Sequence, residues 1–227
     1  MRVMRHSKSD TPERKGDSAM PAEGDATASA LRVEFEEVFG RDRPDNASIS
    51  YRRVVLLETP LGPMLAAASD RAVCWLEFAR HRELERSRAE MQRRFGVCMV
   101  SGANPVLDRL RVELRDYFRG TGRAFTVPIE MRGTEFQERV WGELQRIPYG
   151  ATSSYEAVAQ RIGSPTGARA VARANATNRL CLIVPCHRVI AKSGALSGYS
   201  GGVWRKPLLL ELEGTGRLPR GAAPIKG

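Results

Sequence analysis

The alternation of apolar and polar positions divides this chain into a polar start, an α/β part and a mainly helical part. Residues 1–30 are rich in Ser, Asp, Gly and charged side chains and show no apolar period. Such a composition cannot bury enough surface to offset the entropy of ordering, so we predict a disordered tail there. Apolar residues then recur at helical intervals up to Phe39, which predicts one short helix and a linker within residues 31–50. A flexible tail is expected over residues 216–227.

The stretch from residue 51 to residue 125 has the pattern of a small α/β unit. It begins with three apolar runs separated by turn residues, which predict three strands. A charged helix closes on Gly96, and a fourth short apolar run follows. Asn104 and Pro105 are typical of a helix start, so a second helix is expected through Phe118. We therefore predict an α/β N-terminal subdomain, a small sheet with helices.

Helical signals dominate from residue 126 to residue 215, and we assign a second domain to this range. Thr134 and Gln137 have the spacing of a capping box, and Ser153 and Glu156 repeat that spacing. The helix expected after the second box is followed by a Gly-Ser-Pro break and by another short helix. Two short helices joined by a tight turn are typical of a helix-turn-helix, although helix hairpins also occur in many proteins that never touch DNA.

The second helix of this pair consists mainly of small residues and arginine. Small side chains permit close approach to a narrow groove, and arginine suits insertion into it, so readout of base sequence is not expected. The residues concerned are Ala168, Arg169, Ala170, Ala172, Arg173 and Ala174.

The charge distribution points to a polyanionic partner. The net charge is +10, and between Thr152 and Arg205 the only acidic residue is Glu156. Clustered Arg and Lys are the electrostatic footprint of nucleic-acid binding, although a solvated basic surface is the plain alternative. No stretch is long and apolar enough for a membrane span, and the N-terminus lacks the apolar core of a secretory signal, so a cytoplasmic protein is expected.

Cysteine and histidine usage argues against a metal site and singles out one thiol. The four cysteines form no CxxC pair and there are three histidines, so we predict neither a disulfide framework nor a metal centre. Cys74, Cys98 and Cys181 lie in apolar runs, where cysteine is a common core residue. Cys186 differs from them because it follows Pro185 and precedes polar residues.

The stretch "IVPCHRVI", residues 183–190, places this thiol where an apolar run that resembles a buried strand gives way to a polar turn. Pro185 ends the strand ladder, and His187 and Arg188 adjoin Cys186. A neighbouring imidazole and guanidinium lower the pKa of a thiol and favour the reactive thiolate. A buried thiol beside a satisfied histidine is the structural alternative.

A family resemblance rests on four motifs in order, "ARAVARANATN", "PCHRV", "SGALSGYSGG" and "LLELEG". Together they resemble the O6-alkylguanine-DNA alkyltransferase (methylated-DNA–protein-cysteine S-methyltransferase) family, of the Ogt and Ada C-terminal type, over about residues 51–214. The resemblance implies a ribonuclease-H-like N-terminal subdomain and a mainly α helix-turn-helix domain that carries the active-site cysteine. It also implies DNA repair, in which the base is rotated out of the duplex from the minor groove and the alkyl group of O6-alkylguanine moves irreversibly to Cys186.

The same resemblance implies roles for the catalytic residues. Cys186 accepts the alkyl group, His187 withdraws its proton through a water, and Glu213 orients the histidine. Tyr155 helps to rotate the nucleotide and donates a hydrogen bond to the flipped base, and Asn178 braces the turn before the active site. Each molecule acts once, because water does not readily hydrolyse the thioether product. No cofactor is needed, because the alkylated base supplies the group.

Contacts to DNA and to the base are implied by the same matching positions. Arg169 fills the space that the rotated base leaves in the duplex. The DNA-binding residues are Tyr155, Ala168, Arg169, Ala170 and Arg173, and the base pocket is lined by Val189, Tyr199, Ser200 and Gly201. The expected partner is double-stranded DNA that contains O6-alkylguanine, with O4-alkylthymine left open as a second substrate. A cytoplasmic, nucleoid-associated monomer without membrane attachment is expected.

Other functions are weighed against this one. Alkyltransferase-like proteins bind alkylated DNA as non-catalytic sensors but replace the acceptor cysteine, whereas Cys186 is present here. A transcription regulator of the adaptive response is a further alternative, which the alanine-rich second helix disfavours. The helix within residues 31–50 faintly resembles the last helix of an AraC-like domain, and we interpret it as a vestige or a truncated fusion. Some relatives hold zinc in the N-terminal subdomain, but no matching Cys/His set occurs here.

Overall fold

The computed structural model describes residues 24–40, 50–196 and 198–219. Its α-helices are α1 (Gly24–Phe39), α2 (Leu84–Phe95), α3 (Pro105–Phe118), α4 (Glu135–Gln145), α5 (Tyr155–Arg161), α6 (Ala168–Ala176) and α7 (Arg205–Thr215). Its strands are β1 (Tyr51–Leu57), β2 (Met64–Ala68), β3 (Val73–Phe78), β4 (Cys98–Ser101), β5 (Ser153–Ser154) and β6 (Val189–Ile190), and a 3-10 turn spans Cys186–Arg188. Most of the predicted N-terminal tail, the linker after α1 and the end of the C-terminal tail lie outside the described residues. None of the helices described is long and apolar enough to cross a membrane.

A four-stranded mixed sheet in the order β3-β2-β1-β4 forms the α/β part of the fold. β1 pairs antiparallel with β2 and parallel with β4, and β2 pairs antiparallel with β3. The three predicted strands and the fourth apolar run are confirmed as strands. The predicted start of α3 is confirmed as well, because Asn104 Oδ1 accepts a hydrogen bond from Leu107 N at 3.0 Å and Pro105 is the first helical residue.

Both faces of this sheet are buried, each by different helices. One face shares a core with α3 and with the helices of the second half of the chain. The other face packs against α1 and α2. Successive residues of β2 alternate between the two cores, with Ala66 in the first and Ala67 in the second, as the pleat of a strand requires. The second half of the chain is thereby fixed on the face opposite to α1.

Helix α1 begins at Gly24, so the predicted boundary of a disordered tail at residue 30 is wrong. Leu31, Phe35 and Phe39 form a buried stripe against the sheet, which holds the helix in place. Once that packing has nucleated the helix, it extends over the alanine-containing residues before Leu31 at little cost. The helix is therefore part of the N-terminal core, and its interpretation as a vestige of another domain stays a prediction.

The segment just after the predicted domain boundary at residue 125 still pairs with the sheet. Val73 N donates a hydrogen bond to Pro128 O at 2.8 Å, and Glu130 N donates one to Val73 O at 2.8 Å. β3 is an edge strand, and this segment satisfies backbone groups that the edge would otherwise expose. The two predicted domains thus share a backbone bridge and one hydrophobic core.

The two predicted capping boxes have different outcomes. The first is confirmed: Thr134 Oγ1 accepts a hydrogen bond from Gln137 N at 3.3 Å, and Gln137 Oε1 accepts one from Thr134 N at 2.9 Å. The second, built on Ser153 and Glu156, is wrong by one residue, because Ser154 caps α5. Ser154 directly precedes α5, and the hydroxyl of Ser153 instead accepts a hydrogen bond from Arg161 Nη2 at 2.8 Å.

The apolar run before Pro185 is not the regular strand that its sequence predicts. Leu180 makes a single bridge to Leu76 of β3. The chain then turns at Leu182, whose φ of 71° lies in the left-handed region. Val184 N donates a hydrogen bond of 2.8 Å back to Leu180 O, which closes a tight loop. The run is apolar because the loop is buried, and not because it belongs to a ladder.

Candidate active site

Cys186 opens the 3-10 turn, at the end of a loop that Asn178 holds together. Asn178 Nδ2 donates a hydrogen bond to Val184 O at 2.9 Å, and Asn178 Oδ1 accepts one from Leu180 N at 2.9 Å. The same Nδ2 donates to Cys186 Sγ at 3.1 Å. Asn178 is 2% exposed, and these bonds satisfy its amide in the interior. One side chain therefore fixes the loop and contacts the thiol.

The surroundings of Cys186 favour its thiolate, although the residue is buried. A hydrogen bond with the Cys181 thiol outweighs burial and, with the hydrogen bond from Asn178 and the positive charge of Lys206, lowers the pKa of the Cys186 thiol below its ordinary value. The hydrogen bond to Cys186 and burial raise the pKa of Cys181 well above its ordinary value. Cys181 is buried, as expected.

His187 is fully buried next to this thiol and is oriented by Glu213 of α7. His187 Nε2 lies 2.8 Å from Glu213 Oε1. Burial lowers the pKa of His187, although Glu213 acts to raise it. A neutral imidazole that donates its Nε2–H to Glu213 presents Nδ1 as a proton acceptor. Nδ1 has no hydrogen-bond partner among the described residues, so it is the nitrogen that can receive a proton.

Glu213 accepts hydrogen bonds from several parts of the chain. Arg188 Nε donates to Oε2 at 2.8 Å, and Arg188 Nη2 donates to Oε1 at 2.9 Å. Tyr117 OH donates to Oε1 at 2.8 Å, and Gly150 N donates to Oε2 at 3.1 Å. Although burial alone would raise it, the hydrogen bonds from His187 and Arg188 lower the pKa of Glu213 to about 2. Glu213 is therefore charged at neutral pH, and Arg188 is directed at this carboxylate.

Of the four residues predicted to line the base pocket, Tyr199 contacts His187 and Val189 follows the 3-10 turn that Cys186 opens. Val189 and Tyr199 are buried, and the ring of Tyr199 lies edge-on to that of His187 with centroids 6.3 Å apart. Tyr199 OH is a buried polar atom without a partner among the described residues. Buried hydroxyls are normally hydrogen-bonded, so this one is free to bond a water or another polar group. A Cβ at Gly201 would lie 2.5 Å from Tyr199 Cε1, which explains the glycine there.

Two arginines fix the loop that carries Tyr199. Arg80 Nη2 donates a hydrogen bond to Ser200 O at 2.9 Å. Arg205 Nη1 donates one to Gly201 O at 2.7 Å, and its guanidinium carbon lies 4.3 Å from the ring centroid of Phe78. The sequence did not distinguish Arg80 or Arg205 from the many solvated arginines of a basic chain. Arg80, which follows β3, and Arg205 of α7 thus hold the Tyr199 loop together.

Helices α5 and α6 pack against each other and against α4. The predicted DNA-binding residues of α6 lie on its outer side, while Val171 and Ala174 bury the inner side. Tyr155 opens α5 and is half-buried, and burial together with the nearby charge of Cys186 raises the pKa of its hydroxyl. Tyr155 is thus close enough to Cys186 for the two groups to interact electrostatically. Of the predicted DNA-binding residues on α6, Arg169, Ala170 and Arg173 are exposed, and Ala168 is half-buried.

Two buried polar residues at the site were not identified from the sequence. Tyr117 falls in the helical period of α3 with Leu110 and Leu114, so it was indistinguishable from an ordinary core residue. Lys206 is fully buried in the first turn of α7, in line with Leu209. In the sequence, the one indication that Lys206 is unusual is that a lysine occupies a position with the helical spacing of core residues. In the part of the chain that is described, no three His, Cys, Asp or Glu side chains are grouped to hold a metal ion.

Comparisons with known proteins converge on one family. Residues 135–215 match the family model described as the DNA-binding domain of 6-O-methylguanine DNA methyltransferase. The methylated-DNA–protein-cysteine methyltransferase of Methanosarcina acetivorans is 37% identical over 163 residues, which are 70% of this chain and 97% of that protein. The protein of the same name from Mycobacterium tuberculosis is 54% identical over 101 residues, 44% of this chain. That match spans 61% of the mycobacterial protein, less than two thirds of its length.

Solved structures give the same result. The crystal structure of Mycobacterium tuberculosis OGT in complex with DNA matches with a TM-score of 0.64 and 35% identity, over 78% of this chain and 100% of that chain. The O6-methylguanine-DNA methyltransferase of Pyrococcus kodakaraensis has the same fold, with a TM-score of 0.54 at 23% identity. Given a relative matched over nearly its whole length and a shared fold, this chain belongs to the methylated-DNA–protein-cysteine methyltransferase family.

Proposed function

We propose that the protein repairs DNA by transferring the alkyl group of O6-alkylguanine in a duplex to Cys186, once and irreversibly. The observation that carries this proposal is the buried thiol of Cys186, bonded to Asn178 and followed by a buried His187 that Glu213 orients. A nucleophile, a base and a group that fixes the base are the parts that covalent catalysis requires. Family membership supports the choice of an alkylated base as the substrate.

The proposed transfer uses these groups in one sequence of events. The thiol proton of Cys186 moves through a water to His187 Nδ1, and the thiolate attacks the carbon attached to O6. A bond forms between Sγ and that carbon while the bond from the carbon to O6 breaks, and the electron pair of the broken bond stays on the base. The base then takes up one proton and becomes guanine. The thioether persists, so a second turnover does not occur.

The outer surface of α5 and α6 is proposed to bind the minor groove as a helix-turn-helix. Arg169 and Arg173 are exposed there and supply positive charge to contact phosphates and the groove. We propose that Arg169 fills the space left by the rotated base and that Tyr155 guides the nucleotide toward the thiol. The N-terminal sheet, for which we propose a ribonuclease-H-like arrangement, then forms the wall behind the pocket. The expected location is the cytoplasm, with the nucleoid.

Intact-protein and peptide mass spectrometry after incubation with a duplex that contains one O6-methylguanine tests this function. The expected result is one added methyl group per molecule on the peptide that contains Cys186, with no further turnover when DNA is in excess. Tight binding of the lesion without a change in mass would instead identify a sensor. A methyl group found on another residue would show that the nucleophile has been assigned wrongly.

Two variants sharpen the experiment. Cys186→Ala is expected to retain lesion binding and to gain no methyl group, because the α6 surface and the pocket are unchanged. Cys74→Ala is the matched control, since Cys74 is a buried thiol in the core between the sheet, α1 and α2. It is expected to transfer one methyl group as the wild type does. Equal loss of transfer in both variants would point to misfolding.

A further inference from the structure

Tyr117 of α3 reaches the catalytic groups from the N-terminal half of the chain. Its hydroxyl donates a hydrogen bond of 2.8 Å to Glu213 Oε1, the same oxygen that lies 2.8 Å from His187 Nε2. The side chain is 2% exposed. Burial, and then the charge of Glu213, raise the pKa of Tyr117 well above its ordinary value. The hydroxyl therefore stays protonated and keeps donating to the carboxylate around neutral pH.

We propose that Tyr117 is a positioning residue of the transfer reaction, whose hydroxyl shares Glu213 Oε1 with His187 and so limits how strongly Glu213 stabilises a protonated imidazole. This inference rests on the transfer function proposed above. Arg188 Nη2 also donates to this oxygen, at 2.9 Å. Donors on one carboxylate oxygen compete for the same negative charge, so each is held less strongly than it would be alone. With Tyr117 in place, His187 is more easily kept neutral, and a neutral His187 is the form that can accept the thiol proton.

Other charged and titratable groups face the same imidazole, and all of them persist when the Tyr117 hydroxyl alone is removed. The charges of Arg188 and Lys206 act to lower the pKa of His187. Arg188 also remains bonded to both oxygens of Glu213, so the carboxylate keeps its place. A change from tyrosine to phenylalanine therefore isolates one hydrogen bond. The titratable and charged groups around His187 are Cys186, Arg188, Lys206 and Tyr199. Next to Tyr117 lies Tyr149, with ring centroids 6.1 Å apart.

The test is an NMR titration of His187 in the free wild-type protein and in Tyr117→Phe, paired with the pH dependence of single-turnover methyl transfer. Loss of the hydroxyl is expected to raise the His187 midpoint by roughly half to one pH unit, the size of one hydrogen bond. The acid limb of the transfer rate should move upward by a similar amount. Tyr149→Phe is the matched control, because its hydroxyl is bonded to Leu212 O at 3.4 Å and not to Glu213. The His187 midpoint in Tyr149→Phe should equal that of the wild type.

An unchanged His187 midpoint in Tyr117→Phe, or a transfer rate lowered by the same factor at every pH, would overturn the proposal and leave Tyr117 with a packing role. If Tyr117→Phe does not fold, 3-fluorotyrosine at position 117 provides a stronger donor with the same shape. The His187 midpoint should then fall, and no shift would again overturn the proposal. If the wild type transfers no methyl group, the proposed function fails, while the NMR titration still decides whether Tyr117 controls His187.

Discussion

Arg188 and Glu213 form a buried ion pair with two points of contact, Arg188 Nε at 2.8 Å from Oε2 and Arg188 Nη2 at 2.9 Å from Oε1. Arg188 Nη1 also donates to Ile147 O at 2.7 Å, and the guanidinium lies 5.8 Å from the ring centroid of Tyr149. A planar guanidinium held in this way leaves the carboxylate little freedom to rotate. The group that orients His187 is thus itself oriented by the residue next to His187 in the chain.

Glu213→Gln is expected to impair both transfer and stability. The amide cannot neutralise Arg188, which is left as a buried charge without its partner, and such a loss costs about 3 kcal/mol of unfolding free energy. His187 also loses the carboxylate that supports it as a base, so the single-turnover rate should fall roughly 100-fold. Urea unfolding and rapid-quench transfer assays measure the two effects.

Glu211→Gln controls for the change of charge on α7, because Glu211 is exposed two residues away on the same helix. Its unfolding free energy should stay within about 0.5 kcal/mol of the wild type, as is usual for surface positions. Its transfer rate should be unchanged. If both variants lose stability equally, the effect comes from the net charge of the helix, and the ion pair with Arg188 is not its source.

The stability difference between the wild type and Glu213→Gln should depend on pH. The pKa of Glu213 is about 2 in the folded protein, below its ordinary value of 4.5. Because the folded value is the lower one, the charged carboxylate stabilises the fold fully above pH 4.5, and this contribution is lost as the pH falls toward 2. Urea midpoints of the two proteins should therefore converge between pH 4.5 and pH 2. A gap that is constant with pH would show that the charge of Glu213 does not contribute to stability.

Local signals in the sequence predicted several elements correctly. Asn104 followed by Pro105, and Thr134 followed by Gln137, satisfy backbone donors within a few residues, so their positions are decided locally. Ser153 and Ser154 are chemically alike neighbours, so the sequence alone does not decide which of them caps α5. In the structure Ser154 is the cap, and Ser153 accepts a hydrogen bond from Arg161.

The site shows the same division between local and distant contacts. The adjacency of Cys186, His187 and Arg188 is visible in the sequence, and the family motifs extend it to Glu213. The hydrogen bond from Tyr117 to Glu213 depends on how α3 packs against α7, because the two residues lie 96 positions apart. A tyrosine with the period of a core helix gives no indication that its hydroxyl meets a carboxylate. The sequence therefore did not predict the contact between α3 and α7, whereas the family motifs predicted that Glu213 orients His187.

Arg169→Ala is expected to weaken base rotation more than general affinity for DNA. Arg169 is exposed on the outer side of α6, where its side chain can enter the duplex. In a Cys186→Ala background, affinity for a duplex with one O6-methylguanine should fall by more than affinity for undamaged DNA. Arg173→Ala, on the same exposed side, should lower both affinities by a similar factor and flatten their dependence on salt, as expected for a phosphate contact. Equal losses for both duplexes in Arg169→Ala would rule out the intercalating role.

Phe39→Ala tests whether α1 is a structural part of the protein or a remnant. Phe39 is 0% exposed and packs in the core between α1, α2 and the sheet, so its truncation should cost about 3–5 kcal/mol of unfolding free energy. Val33→Ala on the same helix is the control, because Val33 is 58% exposed and should change stability by less than about 0.5 kcal/mol. The transfer rate of the folded protein should be unaffected, since α1 packs on the face opposite to the site. A vestigial helix would instead tolerate both substitutions equally in urea unfolding.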